Sequence, residues 1–440
     1  MGIDDTDSVS GMCTTYLASE LIQEFSECDV IGCPRLVRLN PNIPWKTRGN
    51  GAIAVQFGRG SGGRFPIGEI AGRTYHGFER GRDMDIRNAK KRVQTVVEEH
   101  ARFEDANTNP AYIITRKKTP QSLYWMAVRQ VVELKDVLEM LRDQQAVFKG
   151  YKNKRGLIGA SAAVSWRPRD RTYEITTYRE KKRWGTQRRV EKGSVIEMDR
   201  AFSSTFNNYD YINKNIVIAP NSPCPVLFGI RGDEPKDLPQ AMERVKSEKK
   251  DRWLIFETNQ GTDEHLQKRS IEAIDNYTSV ITSGVVSSAP RTIEGGHVIF
   301  TIKNRKEIHC AAYEPTKEFR HLARRLICGD AVTVYGGIRK EPKTINIEKM
   351  KIEKLAEHRV KSENPRCPKC KRKMKSAGKH MGYRCKACKT AVREEAVPLS
   401  KIERDIATGF YEVPVCARRH LAKPLKRFGG QSGILRGEKR

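Results

Sequence analysis

Three aspartates and two threonines crowd the opening stretch MGIDDTDSVSGMCTTY: Asp4, Asp5, Asp7, Thr14 and Thr15. Carboxylates this close repel one another unless a cation sits among them, and Mg2+ commonly takes one or two carboxylates together with phosphate oxygens. The spacing suits a metal-nucleotide site. An EF-hand loop is excluded, because counting from Asp5 the sixth position is Ser10 and not glycine, and the twelfth is Tyr16 and not glutamate. Helix capping accounts for Asp7 or Ser8, but not for three aspartates. Gly11-Met12-Cys13-Thr14-Thr15 then begins a helix whose free N–H groups favour phosphate, with Thr14 placed to meet it.

The chain contains no GxxxxGK followed by Ser or Thr, so a P-loop nucleotide site is not expected. An ATP user would need another phosphate cradle, for which PWKTRGNGA (44–52) and NKRGLIGA (153–160) are candidates. Lys46, Arg48, Lys154 and Arg155 are their charge partners, and Gly11, Gly49 and Gly156 are backbone positions open to phosphate. The same segments also read as ordinary glycine turns. GRGSGGR (58–64) formally contains GxGxxG but leads into Phe65-Pro66 and not into a helix, so it is expected to be a flexible loop.

At the other end, Cys367-x-x-Cys370 and Cys385-x-x-Cys388 offer four thiolates for a tetrahedral, structural Zn2+, the spacing of a zinc ribbon. Without a metal, so short a segment has almost no core to fold around.

The elements that must position these groups read as several modules, as expected for 440 residues. A short strand, a helix from Thr14 to Phe25 and strands in CDVIGCPRLVRLN and GAIAVQF suggest an α/β start, with further helices near 85–100 and 134–145. Residues 214–266 alternate strand and helix in a way that fits a ferredoxin-like α+β layer. Residues 277–355 give five strands with one helix after the third, the element order of an OB-fold barrel. Phe300, Tyr313 and Tyr335 lie on its candidate strands, as core or as base platforms. The expected division is 1–195 catalytic, 196–275 ferredoxin-like, 276–356 OB-fold, 362–395 zinc ribbon and 396–440 a basic extension. Residues 60–200 are the least legible, which leaves a discontinuous first domain open.

Lys and Arg number 82 against 53 Asp and Glu, a net charge of +29 that calls for a polyanionic partner, nucleic acid first. Residues 1–60 hold five basic against seven acidic side chains, whereas 361–440 hold twenty-two against seven. No apolar run could cross a bilayer and no secretory signal is recognisable, so a cytoplasmic protein without a membrane role is expected. No obligate protein partner is evident. A non-enzymatic single-strand nucleic-acid-binding protein, joining an OB-fold to a zinc ribbon, is the alternative class. The acidic opening stretch has no purpose in such a binder.

The combination of GIDDTDS, GMCTTYLA, PNIPWKTRGNGA, RGLIGA, TFNNYD, PCPVLFGIRG and WLIFETNQGTD, followed by an OB-fold and a zinc ribbon, resembles the archaeal tRNA(Ile)-2-agmatinylcytidine synthetase family over almost the whole chain. The resemblance implies a ligase that uses ATP and Mg2+ to replace the 2-oxo group of the wobble cytidine in CAU-anticodon isoleucine tRNA with agmatine, changing codon reading from AUG to AUA. It implies an atypical kinase-like catalytic domain, a phosphorylated threonine at Thr14 and a metal-binding acidic motif at Asp4, Asp5 and Asp7. Agmatine is a dication and calls for a carboxylate, for which Asp210, Glu257 and Asp263 are candidates by charge and motif position. Only Met1-Gly2-Ile3 precedes the acidic motif, fewer residues than the family pattern. Either the first strand is truncated or the start codon lies further upstream. The basic stretch from Arg418 to Arg440 is expected to be a disordered tRNA-binding extension.

Overall fold

The computed structural model describes residues 1–361, 363–378, 380–393 and 399–429. The expected basic extension lies partly among them; residues 396–398 and 430–440 fall outside.

Residues 1–258 build one twelve-stranded mixed sheet. Third from one end of the strand order, strand Gly2–Asp4 pairs antiparallel with Gly51–Ala54 on one side and Ala111–Ile114 on the other. Three residues suffice for a strand here because both neighbours satisfy its backbone and both its faces are covered. Helix Thr14–Glu24 packs Tyr16, Leu17, Leu21 and Ile22 on one face of the sheet, and helix Gly156–Ser165 covers the strand's other face. Strands Thr172–Arg179, Val226–Gly232 and Lys250–Thr258 extend the same sheet, joined to Arg35–Arg38 through a parallel pairing. Helices Lys192–Ala201 and Leu238–Arg244 shield this half.

The expected flexible loop at 58–64 is instead part of strand Phe57–Ile70, which pairs with Arg73–Arg82 in a long hairpin. Its glycines permit contact and not motion: a β-carbon at Gly60 would strike the Phe78 ring, and one at Gly58 the Arg82 carbonyl.

Residues 279–354 form a closed five-stranded barrel. Ser279–Thr292, Val298–Lys303 and Glu307–Ala312 follow in antiparallel order, helix Phe319–Arg324 comes after the third strand, and Ala331–Ile338 pairs back onto the first. Thr344–Lys354 closes the ring between the third and fourth strands in space. Phe300 is core, Tyr313 is exposed, and Tyr335 packs against Phe410.

That Phe410 contact leads to the C-terminal segment. Strand Gly409–Glu412 adds to the barrel beside Thr344–Lys354, and residues 415–428 cross onto the large sheet. Leu421 enters an apolar cluster with Tyr124 and Trp166, while Asp170 receives Lys423 at 2.8 Å and Arg427 at 2.9 Å. The expected disorder of this stretch therefore fails for 418–429, because its leucines and cations find fixed partners. At the same junction, barrel residue Glu348 meets His265 Nε2 at 3.1 Å and Arg419 at 3.3 Å, and Lys349 meets Asp263 at 2.6 Å. Among the described residues no helix is long and apolar enough to cross a membrane.

Candidate functional site

A cavity of about 430 Å3 opens at the end of strand Gly2–Asp4. Asp4, Asp5, Asp7 and Thr14 all reach its wall, together with Lys46, Arg48 and Gly49 from one predicted cradle and Arg155 and Gly156 from the other. Segments far apart in sequence thus meet at one site. Gly11 and Lys154 lie outside the wall; Gly11 closes a tight turn with Ser8.

Local backbone chemistry explains how the acidic motif is presented. Asp5 and Met12 adopt left-handed φ values of 56° and 61°, uncommon outside glycine, and turn the chain sharply on either side of the Ser8–Gly11 bridge. Cys13 precedes helix Thr14–Glu24 without a side-chain cap, so no side chain of its own satisfies the N–H groups of the first turn. Thr6 donates its hydroxyl to Thr14 Oγ1 at 3.2 Å. Helix Gly156–Ser165 approaches so closely that a β-carbon at Gly159 would overlap an Asp4 carboxylate oxygen.

The three aspartates are held differently. Burial, reinforced by Asp5 and then Asp7, keeps the Asp4 carboxyl well above the usual range. Burial also pushes Asp5 up to about 6, against hydrogen bonds from Thr47 Oγ1 and the Asn109 amide, both at 2.9 Å. Asp7 is paired with Arg48, whose Nε donates to it at 2.6 Å and whose Nη2 also reaches the Met12 carbonyl. Among the described residues no cation of the chain pairs with Asp4 or Asp5, and two carboxylates is a number magnesium commonly uses. Lys46 donates to the Pro41 carbonyl, and burial, with Arg419 and Arg339 nearby, lowers it to about 8.

Several wall residues escape sequence reasoning. Arg38 stands inside the cavity with its Nε donating to Gln260 at 3.3 Å, and burial lowers its pKa. Its only signal is an arginine within the apolar strand RLVRLN. Glu133 is the one wall carboxylate beyond the three aspartates, flanked by Val131, Val132 and Leu134. Asp210, Glu257 and Asp263 are not on the wall. Asp210 accepts from the Asn213 and Cys416 amides, Glu257 pairs with Arg171 at 2.9 Å, and Asp263 is taken by Lys349.

At the far end, Cys367, Cys370, Cys385 and Cys388 bring four sulfurs within 4.8 Å of one another. They sit on a three-stranded sheet whose apolar core is little more than Met374, Tyr383 and the cysteines themselves. Four convergent thiols over so small a core fit a tetrahedral zinc ion. Among the described residues this is the one such convergent donor group.

Comparison with known proteins agrees across the chain. Residues 1–153 match the family model described as the TiaS TCKD domain, 154–265 the TiaS FLD domain and 364–406 the TiaS C-terminal zinc ribbon domain. TiaS of Methanocaldococcus jannaschii, a 2-agmatinylcytidine synthetase for isoleucine tRNA, is 42% identical over 97% of this chain and 98% of its own length. That of Archaeoglobus fulgidus is 43% identical over 97% of each. Among solved structures, the complex of TiaS with isoleucine tRNA and ATP superposes with a TM-score of 0.83 at 41% identity, covering 97% of this chain and 96% of that one. The complex of TiaS with isoleucine tRNA, AMPCPP and agmatine gives 0.82 at 38%, covering 98% of both.

Proposed function

The chain belongs to the tRNA(Ile)-2-agmatinylcytidine synthetase family, and from that premise we propose how its own residues carry out the reaction. It is an ATP-dependent enzyme of tRNA modification that joins agmatine to a cytidine of isoleucine tRNA, with a zinc-ribbon module. The cytidine is the wobble base of the CAU anticodon, and the product pairs with AUA in place of AUG. A cytoplasmic site of action goes with that substrate.

The chemical obstacle is the 2-oxo oxygen, a poor leaving group. Phosphoryl transfer from ATP to that oxygen makes it a good one: the agmatine amine then attacks C2, the C2–O2 bond breaks, phosphate departs with the oxygen, and the amine gives up a proton. Such transfer is mostly positioning and charge neutralisation. The observation that supports this reading is the single cavity that unites Asp4, Asp5 and Asp7 with Thr14 and the two basic glycine segments.

In this scheme Asp4 and Asp5 would hold magnesium, which would supply charge neutralisation to the phosphates. Asp7 acts by fixing Arg48, which in turn braces the Met12 carbonyl just before the helix. Thr14, at the first turn of that helix, is the threonine phosphorylated in a separate transfer from ATP, its hydroxyl oxygen bonding phosphorus as a phosphoanhydride bond breaks and its proton leaves, and Lys46, Gly49, Arg155 and Gly156 face the ATP phosphates. Arg38 adds a cation to the floor. For agmatine, Glu133 joins Asp210, Glu257 and Asp263 as a candidate carboxylate, and its place on the wall beside apolar Val131 and Leu134 suits a cationic head on an aliphatic stem. We retain the order of a kinase-like catalytic domain, a ferredoxin-like layer, an OB-fold (276–356) and a ribbon (362–395), with the first boundary set where the two matched family regions meet, at 153 and 154, in place of 195 and 196. The continuous sheet through residues 1–258 supports a close, interleaved union of the first two.

The test is incorporation of labelled agmatine into the CAU-anticodon isoleucine tRNA transcript with Mg-ATP, comparing the wild type with Thr14→Ala and Asp7→Asn. Incorporation lost in both variants while tRNA binding persists is the expected result. Full incorporation by Thr14→Ala would remove that residue from the chemistry.

A further inference from the structure

Trp45 is out of place for a tryptophan: 43% of its surface is exposed, and it stands on the rim of the catalytic cavity. An indole left this open usually serves a surface that is covered only part of the time. The Arg155 guanidinium lies 4.5 Å from its ring centroid, and the Tyr277 ring is 6.0 Å away at 45°. Tyr277 comes just before Ser279–Thr292, the barrel's first strand. Trp45 is therefore the point where the cavity rim meets the barrel.

That junction is built with care. Asn40 Nδ2 donates to the Tyr277 carbonyl at 2.7 Å, and Asn42 Nδ2 donates to the Thr278 carbonyl and to Ser279 Oγ, both at 2.9 Å. The loop carrying Trp45 is thus pinned to the barrel at its base while the indole itself stays open. Beyond it, exposed Val131 with Val132 and Leu134 continues an apolar wall inward. Barrels of this kind bind unpaired strands by stacking bases on aromatic rings. A base passing from the barrel to the cavity would meet Trp45 at the rim.

Resting on the function proposed above, we propose that Trp45 is the stacking platform for the target cytosine, with Arg155 bracing the indole. A planar aromatic is the chemistry needed, since every base has a face to stack but only an unpaired base can present it. Trp45 selects for an extruded base and aligns it; it takes no part in bond making.

The experiment uses the full-length protein with its zinc and the CAU-anticodon isoleucine tRNA carrying fluorescent 2-aminopurine at the wobble position, in the presence of Mg2+ and AMPCPP. Wild type and Trp45→Phe are expected to quench the fluorescence, and Trp45→Ala to leave it bright. With unmodified tRNA, kcat/KM for tRNA in agmatine incorporation should fall about ten- to a hundredfold in Trp45→Ala, the range of one lost base stack, and largely recover in Trp45→Phe. Magnesium-ATP affinity measured without tRNA separates the alternatives. A comparable fall there would assign the platform to adenine and overturn the proposal, as would unchanged quenching in Trp45→Ala. If the wild type quenches yet incorporates no agmatine, the reaction assigned above fails and the platform stands.

Discussion

Glu348 allows a quantitative test of how the barrel is held to the catalytic body. Its carboxylate is 4% exposed, lies between His265 and Arg419, and has Lys349 as its chain neighbour. Burial alone would raise its pKa, but His265 first, then Arg419 and Lys349, more than offset that and hold the carboxyl at about 2, against an ordinary 4.5. A depression of that size corresponds to about 3 kcal/mol of stability. Because the folded-state value is lowered, the contribution is complete above an unfolded pKa near 4.5 and fades as pH falls toward 2. Glu348→Gln keeps the shape and removes the charge, leaving Arg419 facing a neutral amide. Urea unfolding at pH 7 should show the variant destabilised by about 3 kcal/mol, and at pH 3 the gap should shrink to about 1 kcal/mol. A gap under about 0.5 kcal/mol at pH 7, the size of an ordinary surface change, would refute the charge-pairing account, and so would a gap that does not change with pH.

Gly159→Ala should preserve the helix, since alanine favours it by about 1 kcal/mol, yet cost agmatine incorporation about a hundredfold by displacing the Asp4 carboxylate; circular dichroism and the incorporation assay together check this. Chelation of zinc should unfold residues 364–393 and weaken tRNA binding while leaving magnesium-ATP affinity intact, read by metal analysis alongside filter binding. Raising salt from about 50 to about 200 mM should weaken tRNA binding steeply, and charge-neutral substitution of Lys369 and Arg372, exposed cations on either side of Cys370 in the ribbon, should flatten that slope by about one to two units on the log–log plot.

The parts of this molecule legible in sequence are those whose signal is local. Cysteine spacing announces the ribbon, and alternating apolar residues announce the five barrel strands and the helix after the third. The acidic motif and the two glycine segments are each weak alone, and become a site only because strand Gly2–Asp4 runs beside the strand that follows PWKTRG and beneath the helix that follows NKRG. What stays hidden is pairing across long separations. Glycine content at 58–64 suggests mobility, but whether a glycine frees the chain or admits a neighbour's ring depends on Phe78, which composition does not reveal. Arg38 looks like any strand arginine until Gln260 is brought beside it, and the cations of 418–427 look like a loose polyanion-binding tail until Asp170 is placed opposite them.

The route of the C-terminal segment has a consequence for how the enzyme is made. Strand Gly409–Glu412 is added to the barrel, and residues 415–428 then lock Asp170, Asp233 and Asp263, which flank strands of the large sheet and lie 257, 194 and 160 residues earlier than their partners. During translation the N-terminal units can fold as they emerge, but the seam between barrel and catalytic body is completed only when these last turns leave the ribosome. Nascent chains therefore pass through a stage in which the barrel is held to the catalytic body through Asn40, Asn42, Asp263 and His265, without these last turns. A message cut short after the ribbon would yield a protein whose cavity is lined by the same residues but whose seam lacks Arg419, Lys423 and Arg427.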